Sequence, residues 1–441
     1  MANEVETDTG QASTEQASGR TMGILAFSAT AGVLVEFYDF FLYGYAADTT
    51  FPKVFFPGVS ETAALVFSLL TFAAGFPARV LGSFIFGHFG DRISRKYSFL
   101  LNILITGLAT VATGLLPGYA TLGVAAPIIL VILRVIQGIG LGGEFGGASS
   151  LLAEFGAKRR FRAFWISLSN LGIPLGAMTG SGVLLIFSGS FTTWGWRVAM
   201  LLSLVIVVPA LLARYKLADS PLFDKVKQQD SLAKLPTFAV FRTHWKPILL
   251  LALVAAFQQM DGYVAGTYIL SFMDSAGIAL AATAGVMLIA RLGDVLGIVV
   301  SGPLSEILKR KGVAYGAVVI TTLLSVPLVL AILDKNIVLT AFLLFLTMLF
   351  GVGLLHGLAP VLTAEAFPTR FRYSGAGISY NLSAVLGGAL APPLLAGLIG
   401  REAADRWYFI PVAYAIYAVV AIGSLIFVRE TRDVELEDLD H

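Results

Sequence analysis

Predominantly apolar stretches of eighteen or more residues recur along the whole chain. Each is long enough to cross the roughly 30 Å hydrocarbon layer of a bilayer as a helix. Twelve are predicted, near 23–47, 61–87, 98–116, 123–153, 163–189, 196–215, 246–273, 279–304, 313–333, 337–364, 373–399 and 407–428. Such a chain satisfies its backbone within each helix and folds by packing the helices together. Composition agrees. The 441 residues are 57% hydrophobic and 13% charged, about half the charged fraction of a soluble domain, with a mean hydropathy of +0.82. The net charge of +2 gives no sign of a nucleic-acid partner. With no cysteine there is no disulfide, thiolate metal site or thiol nucleophile, and the four histidines lack metal-ligand spacing.

Basic residues set an expected orientation. If the N-terminus is inside, the inner loops hold Arg92, Arg95, Lys96, then Lys158, Arg159, Arg160, Arg162, then a basic linker, Lys309, Arg310, Lys311, Arg370 and Arg372. The outer loops hold only Lys53, Arg197, Lys335, Arg401 and Arg406. This asymmetry predicts a multi-pass protein of the cell membrane with both termini cytoplasmic. The expected organisation is a disordered tail (1–22), a six-helix bundle (23–213), a charged cytoplasmic linker (214–245), a second six-helix bundle (246–428) and a tail (429–441).

The two halves repeat. "GHFGDRISRK" from Gly87 aligns with "GPLSEILKRK" from Gly302, pairing Asp91 with Glu306, Arg95 with Arg310 and Lys96 with Lys311. "AEFGAKRRFR" (Ala153–Arg162) resembles "AEAFPTRFR" (Ala364–Arg372). One offset, 211 residues, separates both Glu154 from Glu365 and Asn170 from Asn381. The expected fold class is therefore an all-α membrane protein of twelve transmembrane helices in two pseudo-symmetric six-helix bundles, with substrate held between them near the midplane.

"GHFGDRISRK" resembles the signature loop G-x-x-x-D-R-x-G-R-K of the major facilitator superfamily. "RVIQGIGLGGEFGGASSLLAE", "AEAFPTRFRYSGAGISYNLSAVLGGALAPP", "EFYDF" and "WGWR" are similar to the metabolite:proton symporter family within it. That resemblance implies the major facilitator fold and transport of organic acids or zwitterions. The chain departs from the pattern at Ser94 in the loop and Val80 after Arg79. "FQQMDGYVAGTYI" in the seventh span resembles the "QQ-x-x-G-x-N" segment of sugar porters, with Val264 in place of Asn.

Ionisable residues inside spans are costly, roughly 2.5–3.5 kcal/mol each on insertion scales, and mark function by default. Glu36 and Asp39 share a face of the first span. They either snorkel to the headgroups or pair inside the bundle. Arg134 is the best partner for Asp39, and the likeness to proton-coupled sugar porters implies a proton-coupling pair. Arg79 in the second span either locks Glu36 or Asp39 or binds substrate. Arg291 and Asp294, three apart in the eighth span, form a neutral structural pair or a second proton site. Asp261, beside Gln258 and Gln259, is a further candidate. Glu144 lies in the glycine-rich fourth span, where structural and coupling roles both fit. Proton coupling is thus expected of Asp39, Arg134, Asp294, Glu36 and Glu144. Substrate binding is expected of Arg79, Tyr43, Asn170, Gln258, Gln259, Asp261, Arg291 and Asn381, with His356 among further polar cavity candidates. A cytoplasmic gate is expected from Gly87, Asp91, Arg92, Arg95, Lys96, Glu154, Arg159, Glu306, Arg310, Glu365 and Arg370. In it Glu154 is expected to meet Arg159 or Arg162, and Glu365 to meet Arg370 or Arg372.

These residues favour a secondary active transporter, a proton-coupled symporter of a small organic carboxylate or zwitterion. A sugar or polyol substrate, antiport, or facilitated diffusion fit the same scaffold. A non-transporting membrane sensor is the rival from another class, and no sizeable soluble output domain supports it. No enzyme constellation and no P-loop are present, since "GVGLLHG" (Gly351–Gly357) lacks the Lys-Ser/Thr ending. The expected partners are a small molecule, protons and the lipid bilayer, with no cofactor, metal or nucleic acid, and a monomer is expected.

Overall fold

A computed structural model of the chain describes residues 19–156, 161–187, 189–215, 236–399, 403–434 and 436. Residues 1–18 of the predicted tail, residues 216–235 of the predicted linker, and Arg159 lie outside these residues.

Every regular element among the described residues is a helix. Eleven are long and apolar enough to cross a membrane. Ten run in sequence: α1 Thr21–Ala47, α2 Ala63–Arg92, α3 Arg95–Leu115, α4 Ala125–Phe155, α5 Arg162–Ile186, α6 Phe191–Leu212, α7 Trp245–Gly266, α8 Gly285–Leu308, α9 Arg310–Leu333 and α10 Ile337–Ala364. The sequence predicts twelve spans, and the one expected over 373–399 falls short of the length and apolarity of the others. This α11 is helical over Arg372–Ser383, widens into a π-helical turn over Ala384–Ala389, and resumes over Ala391–Ile399. Pro392 and Pro393, which lack a donor N–H, fall in its last segment. Its first half is polar because it meets protein rather than lipid: Arg372 to Asn381 are all buried. The helix α12, Phe409–Phe427, is the eleventh that meets the length and apolarity of a span.

Two helices make the seam between the halves. α11 lies against α2 and α4 of the first half and α7 of its own, while α5 lies against α8 and α10 of the second half. Glycine makes both crossings possible. A Cβ at Gly87 would stand 2.9 Å from the Ser374 Cα, and one at Gly302 would stand 2.6 Å from the Phe164 nitrogen. The two glycines paired by the sequence repeat therefore occupy equivalent crossings, α2 with α11 and α8 with α5. Inside the first half, a Cβ at Gly142 of α4 would stand 2.6 Å from the Ser83 nitrogen of α2.

Gly142→Val is expected to lower the thermal unfolding temperature in detergent, since overpacking costs about 1–3 kcal/mol and here the clash is with backbone. Gly423→Val, where nothing lies within 4 Å, is expected to leave it unchanged. Equal unfolding temperatures for the two variants would refute the close α2–α4 packing.

Candidate functional site

The carboxylates of α1 do not snorkel. Glu36 is 4% and Asp39 1% exposed, and each meets an arginine from a neighbouring helix. Arg79 Nη1 of α2 lies 2.6 Å from Glu36 Oε1. Arg134 Nη1 of α4 donates to Asp39 Oδ2 at 3.1 Å and to Gln137 Oε1 at 2.6 Å. Gln137 Nε2 donates to the same Asp39 oxygen and, at 2.9 Å, to Thr110 Oγ1 of α3. The Arg134 guanidinium sits 4.3 Å from the Tyr43 ring and 4.9 Å from that of Phe72. The second Asp39 oxygen, Oδ1, accepts no hydrogen bond among the described residues. Glu144 is buried against Gly32 with Glu36 and Arg79 as charged neighbours, and its Oε1 is likewise without a hydrogen bond among them.

Between the halves lies a narrow cleft of about 40 Å³, with room for a few water molecules in this closed arrangement. Phe37, Phe40, Phe41 and Ile173 line it from the first half, and Gln259, Gly262, Tyr263, Arg291 and His356 from the second. Phe40 meets Tyr263 edge to face across the cleft, with ring centroids 5.9 Å apart. Behind the cleft, Asp294 accepts from or shares a proton with His356 Nδ1 at 3.2 Å, and its other oxygen is 3.8 Å from Arg291 Nη1. Asn170 and Asn381, matched by the repeat, bridge the halves in equivalent ways. Asn170 Nδ2 donates to the His356 carbonyl at 2.8 Å, and Asn381 Nδ2 donates to the Gly142 carbonyl at 3.0 Å. Asn381 Oδ1 also accepts from Arg79 Nε at 3.2 Å.

The basic end of the seam is closed by charge. Asp91 accepts the backbone N–H groups of Tyr373 (3.1 Å) and Ser374 (2.8 Å) in the first turn of α11, where free donors and the helix dipole favour an anion. Arg95 joins Asp91 to Glu154 and donates to the Thr369 carbonyl. In the second half, Glu306 accepts from the Ala163 nitrogen at 3.4 Å in the first turn of α5, and Arg310 joins Glu306 to Glu365. The partners are crossed between halves. Glu154 holds Arg372 at 3.2 Å and Glu365 holds Arg162 at 2.8 Å.

Several expectations change. Arg370 does not meet Glu365. It is exposed and lies 5.0 Å over the Phe371 ring, because the start of α5 brings Arg162 to that acid instead. Glu154 is served by Arg95 and Arg372, not by Arg162. Arg92 is exposed at the end of α2, Lys96 lies over the Tyr215 ring at 5.3 Å, and Lys311 Nζ donates to the Ile426 carbonyl. Six of the eight expected substrate contacts do not line the cleft, which takes only Gln259 and Arg291 from that set; Asn170 and Asn381 bridge the seam, and the other four are held elsewhere. Asp261 is fully buried inside the second half and accepts from Tyr414 Oη at 2.6 Å. Tyr43 bonds Thr71 beneath Arg134. Gln258, about 100° around α7 from Gln259, points into an apolar crevice with Leu251, Leu355 and Ala359. Arg79 is committed to Glu36 and the seam.

The segment after α12 joins the basic end in a way its sequence does not announce. Glu430 accepts the backbone N–H groups of Arg310 and Lys311 at 3.0 Å each, capping α9. Thr431 Oγ1 donates to Glu365 at 2.6 Å, and Arg162 Nη2 donates to the Val434 carbonyl at 3.2 Å. "RETRD" has no signal of this role, since a charged stretch past the last span reads as a solvated tail. Gln137 and Thr110 are equally silent in the sequence, because single polar residues in an apolar run carry no pattern.

Known proteins match this architecture. The sequence profile of the Major Facilitator Superfamily covers residues 29–392. The inner membrane metabolite transport protein YhjE of Escherichia coli (strain K12) is 37% identical over 92% of this chain and 93% of its own. The shikimate transporter of the same organism is 30% identical over 92% of this chain and 94% of its own. The proline/betaine transporter of Salmonella typhimurium is 28% identical over 93% and 84%. Among solved structures, the proton:xylose symporter XylE bound to 6-bromo-6-deoxy-D-glucose shares the fold, with a TM-score of 0.76 at 17% identity over 95% of this chain and 99% of that one.

The absence of native cysteine gives a clean test of the closed end. Ser83→Cys places a reporter at the seam, where Ser83 is 1% exposed. Adding Asp91→Asn is expected to raise its maleimide labelling rate several-fold by removing an anion from the α11 N-terminus. An unchanged rate would show that Asp91 does not hold this end shut.

Proposed function

This chain belongs to the major facilitator superfamily, and on that premise we propose that it is a proton-coupled symporter of a small organic carboxylate or zwitterionic metabolite. It works by alternating access in the cell membrane, with residues 23–213 and 246–428 as the two bundles that rock about the cleft. Both termini face the cytoplasm, and the basic end is the inner gate. The proton is the coupling ion, no cofactor is required, and no nucleic acid is bound. A monomer suffices, since one pair of bundles encloses its own cleft.

The observation that carries this reading is the buried Asp39–Arg134 pair. Arginine does not give up its proton, so while it holds Asp39 the carboxylate stays charged. When rocking separates them, a carboxylate left in low dielectric takes a proton rather than remain charged. Asp39 Oδ1, without a hydrogen bond among the described residues, is where that proton binds. A neutral acid can then pass with its helix to the other state, where the arginine returns and the proton leaves. Glu36, Glu144 and Asp294 complete the network of carboxylates. The relatives named for shikimate, proline and betaine are named for solutes that carry a carboxylate, which supports an organic acid or zwitterion here. The sugar reading rests on the paired glutamines of α7, and it loses weight with Gln258 turned away from the cleft.

Proteoliposomes with a pH dye inside and clamped membrane potential test the proposal. Added mono-, di- and tricarboxylates, betaine, proline or hexoses are supplied one at a time outside. Acidification inside with a carboxylate or zwitterion is the expected result. Equilibration of a labelled solute with no pH change would mean a uniporter. Asp39→Asn and Asp294→Asn are expected to fold but lose accumulation against a gradient, and Arg134→Ala to lose transport. Wild-type accumulation in both acid variants would remove these carboxylates from coupling.

A further inference from the structure

Among the described residues, the cleft wall contains one guanidinium and no carboxylate. Of the three arginines in the middle of spans, two are spoken for. Arg79 is tied to Glu36 at 2.6 Å and to Asn381, and Arg134 to Asp39 at 3.1 Å and to Gln137. Arg291 is held more loosely. Its carboxylate neighbour Asp294 stands 3.8 Å away, and its bond to the Gly266 carbonyl is 3.4 Å long. Asp294 is fully buried behind it and faces His356 with its other oxygen. The Arg291 side chain keeps 12% exposure, toward the cleft.

Resting on the transporter reading above, we propose that Arg291 is the substrate's carboxylate seat, and that the cleft selects a monocarboxylate with a compact ring or other apolar body. A planar guanidinium takes one carboxylate through two parallel hydrogen bonds. A second carboxylate on the same solute would lie against Phe37, Phe40 and Phe41, with no further arginine or lysine among the described lining residues to meet it and with His356 already turned to Asp294, and burying an unpaired charge is costly. The ammonium of a zwitterion fares no better. No acid among the described residues lines the cleft, and the aromatic face nearest the seat, Phe41, already has Arg291 5.4 Å above its ring. An ammonium a few ångströms from the bound carboxylate would also be repelled by that guanidinium. An apolar ring, by contrast, meets phenyl faces and edges that reward it.

The experiment uses the full chain in proteoliposomes, with benzoate, cyclohexanecarboxylate, succinate, citrate, glycine betaine and glucose as probes. Saturable inward proton movement, above that in protein-free liposomes that these acids cross in neutral form, is expected with the two ring monocarboxylates, at a KM at least about tenfold below that of any other probe that moves protons. Arg291→Gln is expected to raise their KM about tenfold or more, and Arg291→Lys, which restores charge without the fork, to recover part of it. Phe37→Ala, which removes part of the lining but not the Phe41 ring under Arg291, is expected to weaken benzoate while sparing acetate, added as a further probe, and it decides the matter if Arg291→Gln does not fold. Proton movement with glycine betaine or succinate as readily as with benzoate would overturn the selectivity and leave the symport reading standing. Proton-coupled uptake of glucose alone would overturn both. A wild-type benzoate KM in Arg291→Gln, or silence with both ring acids, would remove Arg291 as the seat.

Discussion

A guanidinium at hydrocarbon depth persists only beside a carboxylate, and this constraint organises the middle of the protein. Arg79 of α2 reaches Glu36 of α1, and Arg134 of α4 reaches Asp39 one turn along the same helix. α1 is thereby pinned to two neighbours by its only two acids. Such pairs add little net stability, because desolvation offsets most of the attraction. Their value lies in position. Breaking one would leave an unpaired charge in the bundle, which is costly, so the two pairs fix how α1 sits against α2 and α4.

The seam follows from the same economy of charge at its edge and from small residues at its centre. Asp91 and Glu306 each stand at the first turn of a helix from the other half, α11 and α5. Glycine at 87 and 302 lets those helices approach, and Asn170 and Asn381 cross the seam to backbone carbonyls. Taking a two-state equilibrium from 1:99 to 99:1 needs about 5.5 kcal/mol. Under the alternating-access proposal, the bonds at this end would have to be outweighed by about that much for it to open.

Much of this arrangement is legible in the amino-acid sequence, and what is not has physical causes. The repeat pairs Asp91 with Glu306 and Asn170 with Asn381 correctly as equivalents, since symmetry relates positions whatever their contacts. It does not say that Glu154 meets Arg372 and Glu365 meets Arg162, because nearness in sequence favours partners on the same half. Polarity alone points to Asp261 and Tyr43 as cavity residues. Each is instead paired within one bundle, with Tyr414 and with Thr71. Apolarity is also a poor guide to α11, whose polar first half is buried against neighbouring helices.

The sequence by itself determined the apolar spans, the doubled six-helix plan, the basic end, and the acids and arginines that must be paired within the bilayer. These depend on composition, periodicity and the cost of buried charge, which act locally along the chain. Only the tertiary structure decided which arginine serves which acid, that Gln259 rather than Gln258 faces the cleft, and that the stretch after α12 joins the basic end through Glu430 and Thr431. Those outcomes depend on the rotation of each helix about its axis and on contacts between residues hundreds of positions apart. Neither is set by any single helix, and both are fixed when all of them pack.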